Sequence, residues 1–176
     1  EVANLVNASF DSTGVSATAT TTVKIEMLST DAAGSHVVGF NLYGKNATAQ
    51  AISATVTLGT TAATSDLTNL RDAINSYSSN TGIRATLNAN KNFIIIVQDE
   101  GEDVVIENLD FSSVANSVNT RMLTTSMNMD QDVSGTQRQV LDTDHDPGNS
   151  DSIRYAGHIK FHSSQPFTIA GNTAGG

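Results

Sequence analysis

Apolar residues recur at three- and four-residue steps in one well-formed stretch, Leu67, Leu70, Ala73, Ile74 and Tyr77. That period places them on one face of an amphipathic helix. Ser65 or Asp66 supplies an N-cap, and Asn80-Thr81-Gly82 ends the helix, with the glycine free to turn left-handed. Strand patterns follow. Ile83, Ala85 and Leu87 alternate inward, Asn88-Ala89-Asn90-Lys91 turns the chain, and Phe93–Val97 has no alternation. An unbroken apolar run of that length predicts a central strand covered on both faces, with a helix on one. Asp99–Glu102 turns the chain again into Val104-Val105-Ile106. Upstream, 37–44 and 52–58 predict a strand pair around a polar tip, Lys45–Thr48, with Ile52, Ala54, Val56 and Leu58 sharing a face. Downstream, 121–129 and 137–141 fit strands. Ile153, Tyr155, Ile159 and Phe161 alternate as a half-buried strand, Phe167-Thr168-Ile169 ends the folded part, and 171–176 reads as a tail or linker.

Part of this pattern occurs twice. Thr13-Gly14-Val15 lines up with Thr81-Gly82-Ile83, Ala17-Thr18 with Ala85-Thr86, and Val23–Met27 with Lys91–Ile95, all at an offset of 68 positions. Val2, Leu5, Val6 and Phe10 supply the helix face of the first copy. Repetition at fixed spacing signals a duplicated supersecondary unit. The expected class is α+β with β dominant. Two helix-plus-strands units occupy 1–110, and an antiparallel β extension, 111–176, packs on them. The chain begins partway through a repeat, which suggests a segment of a longer protein.

With 176 residues the chain can bury a real core. Only 38% of residues are hydrophobic and 15% charged, and Ser, Thr, Asn and Ala fill the gap. That composition suits β surfaces facing water through hydroxyls and amides. The net charge of −9 disfavours nucleic acid and anionic membrane surfaces as partners. Twelve of the 18 acidic residues fall in 99–110 and 130–151, which solvated loops would explain. No apolar run reaches membrane-spanning length. Cysteine is absent, so stability must come from packing, and the chain suits either cytosolic residence or export in an unfolded state.

Candidate chemistry is sparse. His158 and His162 have the spacing of a helical zinc-protease motif, but Ile159 stands where that motif needs Glu, and the flanking alternation predicts a strand with both histidines outward. Asp142, Asp144, Asp146 and Asp151 form the sharper metal candidate, since alternate aspartates in a turn-rich loop can converge oxygens on calcium. Pro147 at the sixth position and Ile153 at the place of the bidentate Glu exclude an EF-hand, and a plain acidic turn is the alternative reading. Asn7-Ala8-Ser9 and Asn46-Ala47-Thr48 match the N-glycosylation acceptor. No nucleophile elbow, phosphate loop or dinucleotide fingerprint occurs, so neither catalytic nor cofactor-binding residues are expected.

Phe40-Asn41-Leu42-Tyr43-Gly44-Lys45-Asn46, Ile52-Ser53-Ala54, the Asp66–Asn75 helix and Asn80-Thr81-Gly82-Ile83-Arg84-Ala85 together resemble the repeat motif of bacterial flagellins. Phe93–Val97 and Gly101–Ile106 continue it, and Tyr155–Ser164 with Phe167–Ile169 is similar to strands leading flagellin chains back toward the filament core. The resemblance implies a non-catalytic structural protein of the extracellular bacterial flagellum, which serves motility. This segment would be the variable surface domain. It would assemble with other flagellin subunits through long terminal helices absent from these residues, and antibodies, phage or glycans would meet its surface. A ligand- or glycan-binding module, and a cap or hook-associated protein with the same motif, are the alternatives.

Overall fold

The computed structural model describes residues 2–30, 33–111, 120–128, 130, 133–142 and 150–170. Its first unit is α1 (Val2–Ala8), α2 (Phe10–Thr13) and β1 (Val15–Ser29). β2 (Gly34–Tyr43) and β3 (Gln50–Leu58) form a hairpin, followed by α3 (Thr68–Ser76), α4 (Ser78–Thr81), β4 (Ile83–Leu87) and β5 (Phe93–Gln98). β6 (Val104–Asp110), β7 (Thr120–Met127), β8 (Val133–Leu141), β9 (Ile153–Tyr155) and β10 (His158–Ser163) complete the chain. The result is α+β and β-dominant, as expected.

Every named strand pair is antiparallel. One sheet runs β4-β5-β1-β7-β8, with β10 added on β1, and the other runs β3-β2-β6-β9. Their apolar faces meet in one core. Ile52, Ala54, Val56 and Leu58 all face inward from β3, joined by Val38, Phe40 and Leu42 of β2. Opposite them lie Val23, Ile25 and Met27 of β1 and Ile94 and Ile96 of β5, while Leu67, Leu70 and Ile74 bring the α3 end into the same cluster. Pairings of β1 with β7 and β10, and of β6 with β9, cross position 110 in the sequence.

The two copies fold alike as far as their shared sequence is alike. In both, the helix is interrupted at one residue, Ser9 or Tyr77, and stops at a left-handed glycine, Gly14 at φ 65° or Gly82 at φ 70°. The threonine before each glycine does the same two jobs. Thr13 Oγ1 donates to the Ser9 carbonyl at 2.8 Å and accepts from the Val15 N–H at 3.2 Å. Thr81 Oγ1 donates to the Tyr77 carbonyl and accepts from the Ile83 N–H, both at 3.1 Å.

The copies then part. Asn88 Oδ1 accepts the Asn92 and Phe93 N–H groups, and Lys91 takes φ 61°, which folds 88–92 into a turn. The aligned residues of the first copy, Thr20-Thr21-Thr22-Val23, are β-branched and have no such turn chemistry, so β1 runs straight on.

Four expectations need correction. β5 alternates, with Ile94, Ile96 and Gln98 buried and Phe93, Ile95 and Val97 half-exposed, because no helix covers its second face among the described residues. Tyr77 is exposed, since the helix breaks there and turns its ring outward. Ile153–Phe161 is two strands in two sheets, separated at Ala156-Gly157. Gly157 is where the chain passes tightly over Gly101, whose carbonyl oxygen would lie 2.6 Å from a Cβ at that position. Finally, Phe167 and Ile169 are exposed and irregular, although the Phe167 ring rests 6.3 Å from that of Phe161.

Candidate functional site

Each copy ties its helix to its strand with one asparagine. Asn75 Nδ2 donates to the Ala85 carbonyl and Asn75 Oδ1 accepts the Ala85 N–H, both at 2.8 Å. Asn7 does the same to Ala17, at 2.9 Å and 2.7 Å. A carboxamide presents one donor and one acceptor side by side, so it stands in for the peptide group of a neighbouring strand. β4 ends its sheet, and Asn75 closes the backbone groups that this edge would otherwise leave open. The clamps escaped the sequence reading, yet the signal was there: Asn and Ala ten residues apart, identical in both copies.

Beside α1 lies a groove of about 700 Å³. Its apolar lining is Val2, Ala3, Ala19, Val105 and Ile159. Its polar rim holds Tyr43, Glu107, Asp103 and Arg154, with the Arg154 guanidinium paired to the Asp103 carboxylate. Partial burial and the adjacent Glu107 carboxylate, which accepts the phenol's hydrogen bond, hold Tyr43 above the usual tyrosine range. An apolar floor with a rim of satisfied polar groups can accept a packed element of chain.

The sequence-derived candidates are placed as follows. His158 and His162 lie in β10, four residues apart along an extended strand, hence about 13 Å from each other. That separation rules out a shared metal. His158 is half-buried, against the expectation of two outward histidines, because β10 packs beside β1; the exposed His162 lies 3.4 Å from Thr18 Oγ1. Asp144 and Asp146 lie outside the described residues. Asp142 is buried at the end of β8, where its N–H donates to the Ser150 carbonyl at 3.2 Å. Asp151 is half-buried, its carboxylate accepting from the Ser152 hydroxyl at 2.8 Å and its carbonyl from the Leu109 N–H at 3.0 Å. Among the described residues no group of three or more His, Asp or Glu could hold a metal ion.

Both glycosylation-type asparagines are engaged by their own fold. Asn7 is the clamp on Ala17. Asn46 Nδ2 donates to the Leu42 and Thr48 carbonyls at 3.0 Å and 2.8 Å, while its Oδ1 accepts the Gly44 N–H at 2.7 Å, which builds the β2–β3 tip.

A hairpin in each of two antiparallel sheets, with a helix packed against both and tied by an asparagine clamp, defines a β-rich packing module. Residues 39–99, from β2 to the end of β5, match the family model described as the Flagellin hook IN motif. No curated protein matches the chain. Among the described residues, no helix is long and apolar enough to cross a membrane.

Proposed function

We propose that this chain is the outer, surface-exposed domain of a flagellar filament subunit, extracellular and without a catalytic role. The observation that carries the reading is the flagellin-type motif over 39–99. The absence of cysteine, the acidic balance and the abundance of Ser and Thr support it, since they suit unfolded export and then contact with the medium. In this role the domain projects from a filament, other subunits join through regions outside these residues, and its surface meets antibodies, phage or glycans. Nucleic acid and membrane are not its partners. In this reading Asp142, Asp144, Asp146 and Asp151 carry no calcium requirement, since Asp142 is buried and the Asp151 carboxylate already accepts from Ser152. A melting temperature unchanged between excess calcium and chelator is expected, and a clear rise with calcium would reverse that view.

The hook in the matched motif's description favours a second reading, a cap or hook-associated protein of the same construction. Electron microscopy of the parent polypeptide, with and without residues 1–176, separates the two. Long filaments from both forms, thinner or smoother after deletion, support the surface domain. Short caps or rings in place of filaments support the second reading, and no assembly after deletion rules out a dispensable outer domain.

A further inference from the structure

The pairing register gathers charge on the outward face of the sheet built around β1. Val23, Ile25 and Met27 face the core, which turns Lys24, Glu26 and Leu28 outward. Directly opposed residues share a face. Arg121 of β7 stands opposite Leu28, Arg138 of β8 opposite Thr125, itself the partner of Lys24, and Arg84 of β4 opposite the outward Val97. Four of the chain's nine Lys and Arg residues thus share one face. Among the described residues, two carboxylates answer them. Glu26 is shared by Lys24 at 3.1 Å and Arg138 at 3.7 Å, and Asp99, in the turn after β5, lies 3.9 Å from Arg84. Among the same residues Arg121 makes no ion pair, and its Nε is buried without a hydrogen-bond partner. In a chain of net charge −9 this face keeps a positive surplus, with Phe93, Ile95 and Val97 half-exposed among the cations.

The outward face of the other sheet has the opposite balance. Val38, Phe40 and Leu42 of β2 face the core, so Gly39, Asn41 and Tyr43 face out, and opposite them in β6 stand Asp110, Glu107 and Val105. Asp110 is exposed and Glu107 half-buried. With Asp103, just before β6, they set three carboxylates against one cation, Arg154, which stands opposite Val105 and is already paired to Asp103. On β3 the outward Ala51 and Ser53 are small and uncharged, which keeps this face flat.

We infer that the chain binds a second copy of itself face to back, the basic outward face of one copy lying on the acidic outward face of the next. Charge selects this occupant. Either face set against its own kind would bring surplus charges of one sign together, whereas basic on acidic matches them and covers the apolar side chains between. The two faces lie on opposite sides of the core, so each copy in a pair keeps one face free. The contact therefore repeats in an open row instead of closing. Strand spacing and rise give each face roughly 400 Å², half of the about 800 Å² that each partner gives to a standard interface. It is accordingly weak between free copies and takes effect where many are held side by side. A filament subunit and a cap protein would be served alike.

Sedimentation of residues 1–176 from micromolar to millimolar concentration tests this. At low salt the weight-average mass should climb past that of two chains, and added salt should return it to one, because exposed charges are screened. Arg121→Glu with Arg138→Glu makes both faces acidic, and Glu107→Lys with Asp110→Lys makes both basic. Each double variant alone should keep the mass of one chain at every concentration. Mixing the two in equal amounts should restore association, since every basic face then meets an acidic one, and recovery also shows that both are folded. If a reversal unfolds the chain, Arg121→Gln and Asp110→Asn are the milder pair, and each should weaken association several-fold. A wild-type chain that stays single up to millimolar concentration overturns the inference. So does association that ignores salt, association that survives the substitutions on either face, or a mixture of folded double variants that stays single.

Discussion

Asn7 and Asn75 stand 68 positions apart and hold the same two backbone atoms of their respective strands, one at Ala17 and one at Ala85. Replacing either by Ala leaves an N–H and a C=O without partners. For Asn75→Ala the loss should be about 1–3 kcal/mol, because Ala85 is buried and water cannot substitute. Asn7→Ala should cost less: Ala17 is as buried as Ala85, but Asn7 itself is exposed whereas Asn75 is half-buried. Urea unfolding of both variants gives the comparison; equal losses would mean the greater burial of Asn75 adds nothing to its clamp.

Gly101 and Gly14 both have positive φ, 73° and 65°, but only Gly101 is crowded. A Cβ at Gly101 would overlap the Ala19 methyl of β1, whereas one at Gly14 meets open space. Gly14→Ala should therefore cost about 1–2 kcal/mol from the left-handed backbone alone. Gly101→Ala should cost about 1–3 kcal/mol beyond that, from overpacking. Thermal unfolding of the two variants side by side checks the difference.

Tyr155 donates its hydroxyl hydrogen to Thr124 Oγ1 at 2.7 Å inside the core. Burial pushes its phenol above the usual tyrosine value of 10.0. The folded form thus resists ionisation more than the unfolded chain does, so this contribution is complete below that value and declines as pH rises past it. Tyr155→Phe should cost about 0.5–1.5 kcal/mol at neutral pH and flatten the alkaline loss of stability. Unfolding midpoints between neutral and strongly alkaline pH would show whether the two curves converge.

At the start of α3, Asp66 Oδ1 accepts from the Thr68 hydroxyl at 2.6 Å and from the Thr68 N–H at 2.9 Å. These bonds, assisted by Lys91, hold its carboxyl below the usual 3.8. The stability they give is present above that value and is lost as pH falls through the lower folded-state value. In Asp66→Asn the acid limb of the stability curve should be shallower, with only a small change near neutrality. An unaltered acid limb would mean other carboxylates govern acid unfolding.

The second unit was legible because its signals agree with one another. Leu67, Leu70 and Ile74 share a helical face, Gly82 stops the second helical turn, and Asn88 turns the chain after it; the N-cap is Leu67, one residue later than expected, with Asp66 accepting the Thr68 N–H from just outside the helix. The first unit matches the second up to Ala17; beyond it Thr20–Val23 stand where the second unit turns, and their β-branched side chains favour extension. Nor could alternation at Ile153–Phe161 reveal the change of sheet. A period of two is unchanged when a strand leaves one sheet for another, and the signal for the crossing was a single glycine, Gly157. The clamps lay in plain view as repeated Asn and Ala, but a polar residue on a helix reads as solvent-facing until its partner strand is placed. Exposure of Val2 and Leu5 was illegible for a different reason: a sequence shows that a face is apolar, not what covers it.

β1 pairs with β10 in the register Val15 with Ser163 through Thr20 with His158. Nearly the whole fold is thus a closed excursion whose two ends run side by side in opposite directions. To any polypeptide that carries it, the domain amounts to two adjacent strand ends, the same junction a tight turn would present. Such a junction lets evolution lengthen, exchange or discard what lies beyond it while the carrier's own path hardly moves.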